Sequence, residues 1–517
     1  MTKMAWLFLP AVLLAQVEVP FERIRSADKE PGNWLSYSRD YTGQRYSPLE
    51  QINAGNVAKL RIAWMHQAWE SDTFETSPIV VDGTLFITKP PNEVAALDGT
   101  TGRQLWSYQK VLPKDLRLCC GKVNRGVAIL GNTLYYASTD AHLIALDART
   151  GVVRWDVTMA DYKAGYSSTG APLAVKDKIV TGMAGGEFGT RGFIDAYDAK
   201  TGKRAWRFNT IPVKGEKGND TWEGESWKTG SATTWVTGAY DPESNTVYWG
   251  TGNPGPDWNG EVRKGDNLYS DCMIALDADT GEKKWHFQYT PHDMNDWDST
   301  QTPILANGMV LLANRNGFYY SLDAKTGKFI GGRPYVKQTW ATGLDEAGRA
   351  MRVPGAVPTV EGTLIYPSLA GGSNWYSSTY HPKTNLYYVN VKEEGAIYHQ
   401  GNADYKAGAF FNGGGTKENK AEEPYGAVRA LDPKTGEMKW EFRLHQPSHC
   451  GLMSTAGNLV FGCNGSSFFA LDAEKGGLLW RFESGGGIDA NPVSYTSGGK
   501  QYVAISAGHA LLVFGLE

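Results

Sequence analysis

An all-β, eight-bladed β-propeller is the fold this sequence predicts, on three observations: a recurring phrase, strand-like runs around each copy, and a spacing of a few tens of residues between copies. The phrase is an apolar pair, Asp, two or three small or polar residues, Gly, and then a Trp at a fixed distance. It reads ALDGTTGRQLW ending at Trp106, ALDARTGVVRW at Trp155, AYDAKTGKRAW at Trp206, ALDADTGEKKW at Trp285, ALDPKTGEMKW at Trp440 and ALDAEKGGLLW at Trp480. A seventh copy, SLDAKTGKFI from Ser321, has lost the Trp. Self-similarity at this period means one supersecondary unit stacked many times.

Within the unit, a β-rich run such as Thr84 to Thr88 or Leu134 to Ala137 leads to Ala-Leu-Asp, a Thr-Gly turn and a strand ending in Trp. Gly102, Gly151, Gly202, Gly281 and Gly436 supply the positive φ such turns need, and the preceding Asp can accept from its own turn backbone. Trp spacings of 42 residues (Trp64 to Trp106), 49 and 51 suit a blade of about four short strands, with tryptophans docking blade on blade. The gaps from Trp206 to Trp285 and before Trp440 hold either a blade plus an inserted loop or two blades. An open-ended solenoid is the alternative. Closure is preferred because YSPLEQI and the C-terminal AISAGHALLVFGL are both strand-like and can pair, leaving no long exposed edge.

A length of 517 residues suggests three or four domains, yet no linker-like stretch divides the chain, so residues 16–517 read as one domain. The 61 Gly and 18 Trp fit tight turns and docking, and a net charge of -4 argues against nucleic acid as a partner. Lys3 precedes an eleven-residue apolar run, Ala5 to Ala15, too short to span a bilayer at about 20 residues, so residues 1–15 read as a secretory signal and the location as periplasmic. No integral membrane segment is expected after its cleavage. Lys214 to Lys228 and Ala396 to Pro424 are polar and Gly-rich and read as surface insertions, with a lid as the alternative.

Five cysteines include the adjacent pair Cys119 and Cys120, which in an oxidising compartment either bond to each other or remain two buried thiols. Cys450 and Cys463 can pair, leaving Cys272 free. No CxxCH encodes a covalent haem.

Around these cysteines run ordered motifs: FETSPIVVDG with Glu75, CCGKVNRG, STGAPL with Thr169, AGGEFGTRG with Glu187, TTWVTGAYDP with Trp235, GTGNPGP with Asn253, TPHDMNDWD, and NRNGFYYSLD with Arg315. From about Asn33 onward the chain resembles the pyrroloquinoline quinone (PQQ) dependent alcohol dehydrogenases, a quinoprotein family that includes methanol and ethanol dehydrogenases. The resemblance implies that Trp235 lies on one face of the quinone and a Cys119–Cys120 disulfide on the other. It implies Arg125 as a charge-assisted partner of PQQ carboxylates, Thr169 as a hydroxyl donor, and Glu75, Arg315 and Asn374 (in GGSNWYSS) around the ring. Some relatives carry Ser where this chain has Ala184, so that contact is expected either to be missing or to be replaced by backbone Gly185 and Gly186.

For metal, Glu187, Asn253 and Asp296 offer oxygen ligands without His or thiolate, which selects a hard cation. Asp296 aligns with the family's catalytic base when counting from Pro291 and His292, whereas matching Trp297 would make Asp298 the base. In the first register Asp298 resembles the additional carboxylate of lanthanide-type relatives, so the ion is Ca²⁺ or a lanthanide. The reaction implied is oxidation of a small primary alcohol, its proton taken by Asp296 and its hydride by the quinone. Electrons then leave to a separate soluble cytochrome c. The C-terminus lacks the Trp-bearing segment of methanol-specific relatives, which implies room for ethanol, longer primary alcohols or polyols. A PQQ-dependent sugar or polyol dehydrogenase and a non-catalytic envelope scaffold are the alternatives.

Overall fold

The computed structural model describes residues 17–68 and 73–517, so the signal read at residues 1–15 lies outside the described residues. Among these, eight sheets of four or five strands follow one another along the chain, and helix is confined to Phe21–Arg25 and a few single 3-10 turns. Five sheets are simple antiparallel meanders, running from Ile79–Val81 to Gln104–Gln109, Ala128–Leu130 to Val153–Thr158, Leu173–Val175 to Arg204–Asn209, Ala239–Asp241 to Lys283–Gln288, and Ile304–Ala306 to Phe329–Pro334. The sixth joins Thr379–His381, Leu386–Glu393, Tyr425–Leu431 and Met438–Leu444, and the seventh runs from Met453–Thr455 to Leu478–Glu483.

In the last sheet Val493–Ser497, Lys500–Ala507 and Ala510–Gly515 are completed by Arg61–Gln67 from the other end of the chain. The N-terminal partner of the C-terminal strand is therefore RIAWMHQ and not YSPLEQI. Only Tyr46–Ser47 of the latter is strand, and it pairs in parallel with Met453–Thr455. Pro48 cuts that strand short, since it has no amide hydrogen to donate.

The repeat phrase explains each sheet locally. In the first copy the Asp98 carboxylate accepts from the backbone of Thr100 (3.0 Å) and Thr101 (2.9 Å) and from the Thr101 hydroxyl (2.9 Å). The strand after the turn continues past Trp106 to Gln109, so the Trp stands within the strand, where a bulge sets it opposite Ala96. Its Nε1 donates to Ala148 O at 3.1 Å in the next copy, and its ring covers that copy's Gly151, where a Cβ would meet the indole at 2.5 Å. The same bond joins Trp64 to Gly99, Trp155 to Ala199, Trp206 to Ala278, Trp285 to Ala324 and Trp440 to Ala473. In the copy without Trp, the Tyr319 ring covers Gly436 and its hydroxyl donates to Pro433 O at 2.8 Å.

The wide gaps resolve differently. Trp206 to Trp285 holds one sheet and an insertion, whereas Trp285 to Trp440 holds two sheets and two insertions. Lys214 to Lys228 is largely exposed around the buried Trp222. Ala396 to Pro424 instead forms a hairpin, Ala396–Gln400 with Gly414–Glu418, joined to Thr363–Ile365. Phe410 stacks on Phe188 at 4.9 Å, and Phe411 N donates to Glu187 O at 2.6 Å, so this insertion is fastened beside the candidate site.

Candidate functional site

Every sequence-selected residue sits where a chain segment enters the first strand of a sheet or links its second strand to its third. In a meander these positions share one end. Glu75, Arg125, Thr169, Trp235, Asp296, Asp298 and Asn374 precede first strands, and Glu187, Asn253 and Arg315 lie in the other links. Stacking brings them together around a cavity of about 530 Å³ lined by Glu75, Cys119, Cys120, Arg125, Thr169, Gly185, Glu187, Trp235, Asp296, Asp298, Arg315 and Asn374. Gly186 and Asn253 stand just behind this wall.

Cys119 and Cys120 are joined by a disulfide, as are Cys450 and Cys463, and Cys272 is a buried free thiol. Cys120 Sγ touches Glu187 Oε1 at 3.7 Å, a packing contact, since a disulfide sulfur has no hydrogen to donate. Arg125 lies between two indoles, its guanidinium carbon 5.0 Å from the Trp235 ring centre and 4.5 Å from that of Trp375. It donates to Thr169 Oγ1 at 2.9 Å and pairs with Glu75 at 2.7 Å. Burial pushes the Glu75 carboxyl up to about 7 against the pull of Arg125.

Gly185 has φ 111°, and a Cβ there would lie 2.1 Å from Gly165 O, so only glycine fits. Gly186 does not reach the cavity, because its carbonyl accepts from Ser231 Oγ at 2.6 Å. The hydroxyl beside Ala184 comes from Ser167, which pairs with it backbone to backbone and lines the same wall.

The acidic wall is built by the loop 291–300. Asp293 accepts from Asn295 N (3.0 Å) and Trp297 N (2.8 Å), and the fully buried Trp297 indole donates to Ser368 O at 3.1 Å. Asp296 and Asp298 flank this anchor and both line the cavity, Asp296 in the left-handed region at φ 58°. Asp298 is held at both oxygens: Oδ2 pairs with Arg315 Nη1 at 2.5 Å and Oδ1 accepts from Asn253 N at 3.0 Å. Asp296 has no ion pair or hydrogen bond with any described residue. Burial pushes its carboxyl well above the usual range, with Asp257, Asp298 and Glu187 adding to the rise and Arg315 opposing it. Burial likewise raises Glu187 to about 7.

Sequence reasoning missed several residues. Asp257 is 2% exposed and accepts from Asn253 Nδ2 at 2.7 Å. Lys392 is also 2% exposed, and among the described residues its ammonium has no ion pair, only the Tyr376 ring at 5.5 Å. It faces a second cavity that shares Glu75, Ala370, Asn374 and Trp375 with the first, and burial lowers it to about 8. Thr416, Lys417 and Glu418 of the insertion line part of the main cavity.

Free donors and acceptors show what the cavity accepts. Among the described residues Asn253 Oδ1 receives no hydrogen bond, and Glu187 and Asp296 have no counter-cation in an ion pair, while the Arg125 and Arg315 side chains line the cavity. Such a site fits a planar anion with carboxylates beside the arginines and a hard cation among the oxygens.

Comparison with known proteins agrees with that chemistry. The family profile for PQQ enzymes, described as the glucose/ethanol/alcohol dehydrogenase beta-propeller domain, matches residues 34–332 and 443–503. Quinoprotein alcohol dehydrogenase PedH of Pseudomonas putida is 39% identical over 97% of this chain and 91% of its own length. Quinoprotein ethanol dehydrogenase of Pseudomonas aeruginosa is 34% identical over 95% of this chain and 88% of its own. A europium-containing methanol dehydrogenase superposes with TM-score 0.91 at 33% identity, covering 96% of this chain and all of the other. The chain belongs to the PQQ-dependent quinoprotein alcohol dehydrogenases and is an alcohol-oxidising oxidoreductase of that family.

Proposed function

We propose that the chain is an exported enzyme that oxidises primary alcohols to aldehydes with PQQ and a hard metal ion held in the 530 Å³ cavity, passing the electrons to a soluble cytochrome c. The eight sheets are taken as the blades of one ring, docked through the repeat tryptophans. The pairing of Arg61–Gln67 with Ala510–Gly515 supports closure.

The observation that carries the proposal is the joining, in one cavity, of a vicinal disulfide, Trp235, two arginines and an oxygen-only acidic wall. A scaffold has no use for that combination. When bound, PQQ supplies the two-electron redox chemistry and the cation supplies positive charge to polarise it.

The chain's own residues do the rest. Trp235 and the disulfide provide rigid surfaces that exclude water, and the indole does so at little entropic cost. Arg125 and Thr169 would hold a carboxylate of the bound group, and Lys392, lining the neighbouring cavity, offers a further positive charge. Arg315, fixed by Asp298 and by Leu369 O at 2.7 Å, lines the cavity as a positive charge. Asp296 is the general base: it is the carboxylate of the pair left free to take the alcohol proton, whereas Asp298 is held by Arg315 and the Asn253 amide. Glu187, Asn253, Asp296 and Asp298 present the metal ligands, and their negative charge favours a lanthanide over Ca²⁺.

The test is reconstitution of the purified apo-protein with PQQ and either Ca²⁺ or La³⁺, followed by a dye-linked assay over alcohols and sugars. Turnover confined to sugars supports the sugar or polyol reading, and a folded chain that never retains PQQ supports the scaffold.

A further inference from the structure

Asn253 can offer a metal only its amide oxygen, so something must hold the other edge of the amide away from the ion. The structure contains that group. Asn253 Nδ2 donates to Asp257 Oδ1 at 2.7 Å and lies 3.5 Å from Pro254 O. Pro254 O can only accept, as does Asp257 when ionised, so the NH₂ edge faces them and Oδ1, which no described residue donates to, is left on the other side. With the amide N–H fixed on Asp298 Oδ1 at 3.0 Å, the residue is held at both its backbone and its side chain.

Asp257 itself has no structural use that would explain its burial. Its Oδ2 is buried without a partner, and it forms no ion pair with any described residue. Arg263, the nearest buried cation in sequence, spends its guanidinium on Pro256 O (3.0 Å), Asn267 Oδ1 (2.9 Å) and Asp293 O (2.5 Å) and reaches only the backbone carbonyl of Asp257. A buried unpaired carboxylate is costly unless a nearby positive charge compensates it.

We propose that Asp257 is a positioning residue of the metal centre: its carboxyl group accepts from Asn253 Nδ2 and so sets the amide with its oxygen toward the ion. The inference rests on the metal-site reading above. Without Asp257 the amide can turn over and present NH₂ to the cation.

The test is binding of Ca²⁺ and La³⁺ to the full chain supplied with PQQ, by equilibrium dialysis with elemental analysis. Relative to wild type, Asp257→Ala is expected to bind both ions about 10- to 100-fold more weakly, the usual effect of losing an outer-shell partner. Asp257→Asn keeps an oxygen acceptor for Asn253 and should recover much of that loss. Asp257→Ala placed on Asn253→Ala should cost little further, because the residue it positions is gone. Equal loss from Asp257→Ala with and without Asn253, or no loss in either, overturns the proposal. A wild-type chain that takes up PQQ but neither ion overturns the metal reading along with it. Thermal unfolding of the metal-free variants checks folding, and the isosteric Asp257→Asn keeps the test available if Asp257→Ala does not fold.

Discussion

Asp296 and Asp298 stand two residues apart on one cavity wall, yet replacing each by Asn should move metal-free stability in opposite directions. Asp298 is paired with Arg315 at 2.5 Å, with both side chains less than 10% exposed, and although burial raises its carboxyl too, Arg315 and the Asn253 amide oppose that rise. Asn at 298 leaves the guanidinium buried without its carboxylate, a loss of about 3–5 kcal/mol when one partner of a buried pair is removed. Asp296 has no such partner, and its folded-state acidity is displaced upward by burial and by Asp257, Asp298 and Glu187.

A carboxyl whose folded value is raised helps the fold below its unfolded value, about 4, and loses that contribution as pH rises. At pH 7, Asp296→Asn should therefore stabilise the metal-free chain, with the gain vanishing below about pH 4. Its catalytic effect runs the other way, with turnover of the reconstituted enzyme falling about 10² to 10⁴-fold. Thermal or denaturant unfolding of the apo-proteins at pH 4 and 7, beside dye-linked turnover, measures both. Loss of apo stability in Asp296→Asn at pH 7 would refute the electrostatic reasoning. Unchanged turnover in Asp296→Asn with loss in Asp298→Asn would move the base to Asp298.

Three further outcomes follow from other parts of the molecule. Gly151→Ala, at φ 73° with a Cβ 2.5 Å from the Trp106 ring, should cost about 1–3 kcal/mol, while Gly477→Ala, with nothing within 4 Å, should leave the unfolding midpoint unchanged. Metal-free wild type should lose stability between about pH 4.5 and 7 as Glu75, raised to about 7, is forced to ionise, and Glu75→Gln should flatten that slope by up to about 3 kcal/mol over the interval. Activity should be greater with La³⁺ than with Ca²⁺ and reverse in Asp298→Ala; equal or better activity of wild type with Ca²⁺ after removal of adventitious lanthanide would contradict the charge argument.

What could be read in advance was whatever is encoded locally. Asp98, Thr101, Gly102 and Trp106 make their turn within a dozen residues, so the phrase revealed the hairpin wherever it recurred. The site residues were selected through motifs that resemble a family, and the fold brings them to one cavity because they occupy equivalent positions in successive units. Non-local facts were not legible. Nothing in YSPLEQI or RIAWMHQ says which pairs with the last strand. Asp257 follows Gly-Pro and reads as a turn former until its burial against Asn253 is seen. Lys392 is one lysine among many until the fold hides it, and the insertion 396–424 has no periodicity to show that it closes over Glu187.

The central claim, that this cavity holds PQQ, is tested most directly by titrating the metal-supplied apo-protein with PQQ and measuring bound quinone by its absorption after gel filtration. The account predicts one PQQ retained per chain, released on denaturation in chelator because nothing binds it covalently, and a much weakened uptake in Trp235→Ala. A folded, metal-loaded chain that retains no quinone, or that retains it equally without Trp235, would contradict it.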